Sequence, residues 1–140
     1  MPRPTLAVLD SYALLAFLFR ETGHAQILDL LEWAVDNGRK HLMSSVNWAE
    51  VRYIVERKAG SHRWVETKEM LAGLPLEVTP VDQQLAELAA EFKIKGAMSL
   101  ADCFAAALAR QHGLPLYTGD PEFKRVEREV EIRWIGTDRR

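Results

Sequence analysis

The chain reads as an α/β protein built on a mainly parallel sheet of four to five strands flanked by helices. Two observations point there. Short apolar runs of strand length alternate with longer stretches whose apolar residues recur at helical spacing. No internal repeat and no long Pro/Gly/Ser stretch interrupts that alternation, so one layered domain accounts for residues 1–140.

The elements follow in order. Leu6-Ala7-Val8-Leu9 reads as a buried strand, and Tyr12 to Phe19 as a helix apolar almost all round, which needs cover from the domain or a partner. Ile27, Leu30, Leu31 and Ala34 mark the face of an amphipathic helix that ends at Asn37-Gly38, with Gly38 in the left-handed conformation. Leu42 to Ser45 is a second strand. Trp48, Val51 and Val55 mark the next helix, and Trp64 to Leu71 another, stopped near Gly73 and Pro75. Leu76 to Thr79 is a third strand, and Leu85, Leu88, Ala89 and Phe92 a helix capped by Asp82. Ser99 to Gln111 is an alanine-rich helix closed by His112-Gly113. Leu114 to Tyr117 and Ile132 to Ile135 supply the fourth and fifth strands, and Asp138-Arg139-Arg140 a frayed tail.

Composition bounds the function. The 140 residues, 48% hydrophobic and 27% charged, are those of a globular domain. A net charge of -2 excludes a polycation, so any nucleic acid must be met by a local basic surface or bound metal. One cysteine, Cys103, rules out an internal disulfide and a thiolate metal cage. With no secretory leader and no apolar run of membrane-spanning length, the expectation is a soluble, cytoplasmic protein.

Four acids stand at corresponding places. Asp10 follows the first strand and Asp120 the fourth, while Glu50 and Asp102 are read in the first turns of helices that follow strands or loops. Carboxyl ends of parallel strands share one edge, where ligands gather. Each acid also has a purely local explanation. Asn47-x-x-Glu50 and Ser99-x-x-Asp102 have capping-box spacing, Asp10 can cap a helix, and Asp120-Pro121 is a cap with proline at the first helical position. Taken together, convergence brings a cost that capping does not offset. Two carboxylates about 4 Å apart repel by roughly 4 kcal/mol at an effective dielectric near 20. A divalent cation removes it, and hard oxygen donors without clustered His or Cys favour Mg²⁺ or Mn²⁺ over zinc.

Four segments together resemble a known family. They are Val8-Leu9-Asp10-Ser11, Ser45-Val46-Asn47-Trp48-Ala49-Glu50-Val51, Ser99-Leu100-Ala101-Asp102-Cys103-Phe104-Ala105-Ala106-Ala107 and Leu116-Tyr117-Thr118-Gly119-Asp120-Pro121-Glu122-Phe123. Their order and spacing resemble a PIN-domain ribonuclease, most closely a VapC-type toxin of a toxin–antitoxin pair. The resemblance implies a three-layer PIN-like domain and metal-dependent hydrolysis of RNA. It also implies a homodimer and a cognate VapB-like antitoxin. By position, Asp10, Glu50, Asp102 and Asp120 resemble the family's metal-binding acids, with Asp10 and Asp102 as principal ligands. Thr118, and Ser11 with it, resemble the supporting hydroxyls. The family often has a small polar residue two places after the first aspartate, where this chain has Tyr12.

An acidic site for RNA needs cations at its rim. Arg20 and Lys95 are the preferred choices among Arg20, Arg52, Lys93, Lys95, Arg110, Lys124 and Arg125, each of which is otherwise a solvated face. Tyr12, Trp48 and Phe123 can stack on bases, with core packing the default for the latter two. The four histidines lack zinc-ligand spacing, and Cys103 needs no role beyond packing. Three other readings stand beside the toxin: a PIN nuclease of RNA processing, a PIN module that binds RNA or protein without cutting, and a receiver-like Mg²⁺-binding signalling domain. The last would need adjacent acids near the first strand, where Asp10 stands alone.

Overall fold

The computed structural model describes residues 3–136. The elements run β1 (Val8–Leu9), α1 (Ser11–Leu18), α2 (His24–Asn37), β2 (His41–Ser44), α3 (Ser45–Ala59), α4 (Ser61–Ala72) and β3 (Leu76–Thr79). After these come α5 (Gln83–Lys95), α6 (Leu100–His112), β4 (Leu116–Thr118), a 3-10 helix (Pro121–Val126) and β5 (Ile132–Trp134). The five strands lie in the order β3-β2-β1-β4-β5, and every pair is parallel. The expected tail at Asp138-Arg139-Arg140 lies outside the described residues.

Strand alternation sorts the core into two halves. Val8, Leu42 and Leu116 face a cluster with Leu85, Phe92, Cys103 and Leu108 from α5 and α6. Ala7, Leu9, Met43 and Tyr117 face the other, with Leu14, Leu30, Val51 and Trp64 from α1 to α4. Successive strand residues point to opposite faces, so one central sheet serves both halves of a helix–sheet–helix sandwich. The alanine run of α6 has a physical reason: every residue from Asp102 to Ala109 is buried, and small side chains let that helix approach its neighbours on all sides.

His41 pins the sheet to its flank. Its Nδ1 accepts the Ala7 amide at 3.1 Å and its Nε2 meets the Leu30 carbonyl at 2.9 Å, which assigns the ring proton to Nε2. Gly38 closes α2 at φ 62, the left-handed conformation expected of it. Cover over α1 is one-sided: Ala13, Leu14 and Ala16 are buried, Phe17 and Leu18 half-buried, and Tyr12 exposed. Among the described residues, no helix is long and apolar enough to cross a membrane.

One expectation is corrected in detail. Asn47 does not cap a helix. The chain leaves β2 extended at Ser44, whose hydroxyl accepts the Val46 amide at 3.1 Å, so α3 begins at Ser45 with no intervening loop. Glu50 therefore lies in the second turn of α3 rather than the first. Asn47 is fully buried instead, and its amide donates to the Ala101 carbonyl of α6 at 3.2 Å.

Candidate metal centre

β1 connects onward to β2 on one side of it, while β4 lies on the other, so the sheet order reverses between β1 and β4. In a parallel sheet that point opens a crevice at the carboxyl ends of the strands. Asp10 immediately follows β1 and Thr118 ends β4.

Asp10 caps α1 and faces the crevice at once. One carboxylate oxygen accepts the Ala13 amide at 2.8 Å, and the other accepts the Thr118 hydroxyl. Thr118 is fully buried, and its oxygen accepts the Asp120 amide at 3.0 Å, so one hydroxyl joins two of the acids. Ser11 donates its hydroxyl to Glu50, which brings the start of α1 to α3. Asp102, at the third position of α6, gives its amide to the Ser99 hydroxyl at 3.2 Å. Asp120 caps the 3-10 helix with Pro121 at its start, accepting the Glu122 amide at 2.9 Å.

The acids converge. Asp102, Asp120 and Glu122 each present a carboxylate oxygen within 4.8 Å of the others. At that distance two unit charges repel by about 3.5 kcal/mol at an effective dielectric near 20, more than the roughly 1 kcal/mol a cap contributes. Burial pushes the Asp10 carboxyl up from 3.8 to about 8; the Thr118 and Ala13 hydrogen bonds oppose this, and the charges of Asp102 and Asp120 add to it. Burial likewise raises Asp102 from 3.8 to about 7. There the charge of Asp120 comes next, a hydrogen bond with Ser99 opposes, and Glu50 and Glu122 contribute further repulsion. All four acids singled out in the sequence thus share one electrostatic neighbourhood.

Glu122 is a fifth acid that sequence reasoning passed over. Its signal was available: two residues after Asp120, it falls in the first turn of the helix that Asp120 caps. The donor set fits a hard divalent cation, since it consists of carboxylate oxygens, with Asp10 and Asp102 buried where their charge is disfavoured unless a cation joins them. Cys103, next in sequence, is buried, and burial pushes its thiol up, so it stays protonated and is no competing ligand.

The basic and aromatic residues singled out in the sequence have partners of their own or stand exposed, and the charge of Lys93 reaches Cys103, next to Asp102. Arg20 follows the far end of α1, ten positions from Asp10, and is exposed at φ 54. The Lys95 ammonium bonds Glu129 at 2.6 Å, a carboxylate that Arg110 also holds at 3.1 Å. Neither basic residue pairs with any of the five acids. Arg52 is bonded to Glu56 at 2.7 Å, and Lys93 donates to the Met98 carbonyl at 2.7 Å. Phe123 is fully buried, and half-buried Trp48 packs against the core, meeting Trp64 edge-on at 5.5 Å.

The family model described as PIN domain matches residues 7–129. Solved structures with similar folds include VapBC2 from Rickettsia felis bound to a promoter DNA fragment, with a TM-score of 0.70 and 18% identity over 94% of this chain and 99% of that one. Another is VapBC-5 from Mycobacterium tuberculosis, a member of the VapBC family of toxin–antitoxin systems. It gives a TM-score of 0.64 and 24% identity over 96% and 100% of the two chains. A third is the sarcin–ricin-loop-cleaving toxin VapC20 of M. tuberculosis, with a TM-score of 0.64 and 19% identity over 91% and 98%. No curated protein matches the chain in sequence.

Proposed function

Because the chain belongs to the PIN-domain family, we propose that it is a Mg²⁺- or Mn²⁺-dependent endoribonuclease, the toxin of a toxin–antitoxin pair. The observation that carries this reading is the convergence of Asp102, Asp120 and Glu122 beside buried Asp10 in the crevice between β1 and β4. Similarity in fold to a sarcin–ricin-loop-cleaving toxin and to members of toxin–antitoxin systems supports the substrate class and the partner.

In this reading Asp10 and Asp102 are the principal ligands, Glu50 and Asp120 complete the set, and Glu122 joins them. These carboxylates would hold a divalent cation, which would supply charge neutralisation at the phosphate and a more acidic water. The protein's own groups do the holding. Thr118 holds one carboxylate oxygen of Asp10 and the backbone amide of Asp120, so one hydroxyl ties the Asp10 side chain to the segment that carries Asp120. Ser11 orients Glu50 across the crevice. Burial disfavours the charged forms of Asp10 and Asp102, a cost that a bound cation would offset. The working form is a cytoplasmic homodimer of single-domain chains, silenced by a small VapB-like antitoxin encoded beside it.

Cleavage of a structured RNA in Mg²⁺ or Mn²⁺ by the wild type and by Asp10→Asn tests this. Wild type should cut, Asp10→Asn should lose roughly a hundredfold or more, and chelator should stop both. Equal cleavage by the two proteins, or activity that survives chelator, overturns the reading.

A further inference from the structure

Tyr12 stands at the second position of α1, two residues past Asp10, and is 46% exposed although large and aromatic. Its ring is not loose. A Cβ built on Gly119 would lie 2.3 Å from Tyr12 Cε1, 2.8 Å from Cζ and 3.0 Å from Cδ1, so the ring rests directly on the Gly119 backbone. Gly119 is not among the positive-φ glycines, so room for this ring, rather than an unusual backbone, is what requires glycine there. Gly119 in turn lies between Thr118, which holds Asp10, and Asp120. The ring is therefore braced between the two segments that carry the acids, with nearly half its surface open beside them.

A fixed, exposed aromatic ring at the rim of a phosphodiester site matches what an unpaired nucleobase needs. Every base has a π-face, and stacking on an aromatic side chain positions a strand without demanding a sequence. Preorganisation by Gly119 means that little side-chain freedom remains to be lost on binding. We propose that Tyr12 is the stacking platform for a nucleobase next to the scissile phosphate of single-stranded RNA, positioning the strand over the acid cluster. The assignment rests on the ribonuclease reading and adds to it an unpaired strand at the cut.

The test uses a labelled single-stranded RNA of mixed sequence in Mn²⁺, with one abasic position walked across the cut. In the wild type one abasic position beside the cut should raise KM about tenfold with kcat little changed. Tyr12→Phe should keep that profile. Tyr12→Leu should begin about tenfold weaker in KM and be indifferent to the same abasic position. Gly119→Ala, which drives the ring off its seat, should behave like Tyr12→Leu and serves as an independent variant if one of the two folds poorly. A wild type that cuts RNA but responds to no abasic position overturns the Tyr12 assignment alone. So does a Tyr12→Leu protein with unchanged KM, including one that has lost binding to a protein partner instead. A wild type that leaves this RNA intact but cuts the structured RNA also overturns the Tyr12 assignment alone, and one that cuts neither overturns the ribonuclease reading as well.

Discussion

Asp102 shows how a single residue can serve two purposes whose energies differ in sign. Its amide completes a cap on α6 with Ser99, while its carboxylate is forced among other negative charges. Both Asp10 and Asp102 have folded-state pKa values raised above 3.8, to about 8 and about 7. Groups raised in this way stabilise the fold fully below about pH 4, and the contribution is lost as pH rises through the folded values. The metal-free protein should therefore lose stability from these two groups between about pH 4 and 8, while stabilisation by Mn²⁺ grows over the same range as the ligands ionise. Asp102→Asn should flatten part of that slope, raise the melting temperature in chelator at about pH 8 by several degrees, and abolish the Mn²⁺ effect. A carboxylate that merely caps would give the opposite, a loss of about 1 kcal/mol with no metal dependence. Thermal melts across pH, with chelator or Mn²⁺, separate the two. His41 acts in the other sense: burial lowers its pKa from 6.5, so its contribution is present above that value and lost as pH falls, which leaves the range from about pH 6.5 to 8 to the acids.

Between elements, the position of α6 against α3 decides where Asp102 stands. The buried Asn47 amide donates to the Ala101 carbonyl, one residue from Asp102, and the Asn47 oxygen has no partner among the described residues. Asn47→Ala should destabilise the protein by about 1–3 kcal/mol, through the lost bond and the space left behind. It should also reduce the stabilisation gained from Mn²⁺, because the first turn of α6 is no longer clipped to α3. Urea unfolding with and without Mn²⁺ checks both, and loss of stability with the metal increment intact would reduce Asn47 to a packing residue. Much at this scale was legible in the sequence. Leu76–Thr79, the Asp82 cap of α5 and the Ser99 cap of α6 stand where pattern and cap chemistry place them. The start of α3 was not, because Ser44 and Asn47 are both good cap residues and only the exit direction of β2 selects between them.

At the scale of the whole molecule, the ribonuclease reading asks a protein of net charge -2 to bring a polyanion to a cleft lined by acids. Without a divalent ion that encounter is repulsive, so RNA binding itself, and not only cleavage, should disappear in chelator and return with Mn²⁺. Anisotropy of a labelled RNA with the Asp120→Asn protein and the wild type measures this; retained affinity in chelator would place the RNA on a basic surface away from the crevice. The alternation of strands and helices, the parallel sheet and the order of the four acids are carried by the chain itself, since periodicity and capping depend on neighbours within a few residues. Convergence depends on tertiary structure. Only the strand order β3-β2-β1-β4-β5 puts Asp10 beside Thr118, 108 positions away, and only the 3-10 turn after Asp120 swings Glu122 toward Asp102. The same holds for Tyr12 and Gly119: the sequence supplies an aromatic ring and a glycine, and their contact requires β1 and β4 to lie side by side. Carboxylate repulsion, pKa and metal affinity all vary with distance, and distances between remote residues are set by packing.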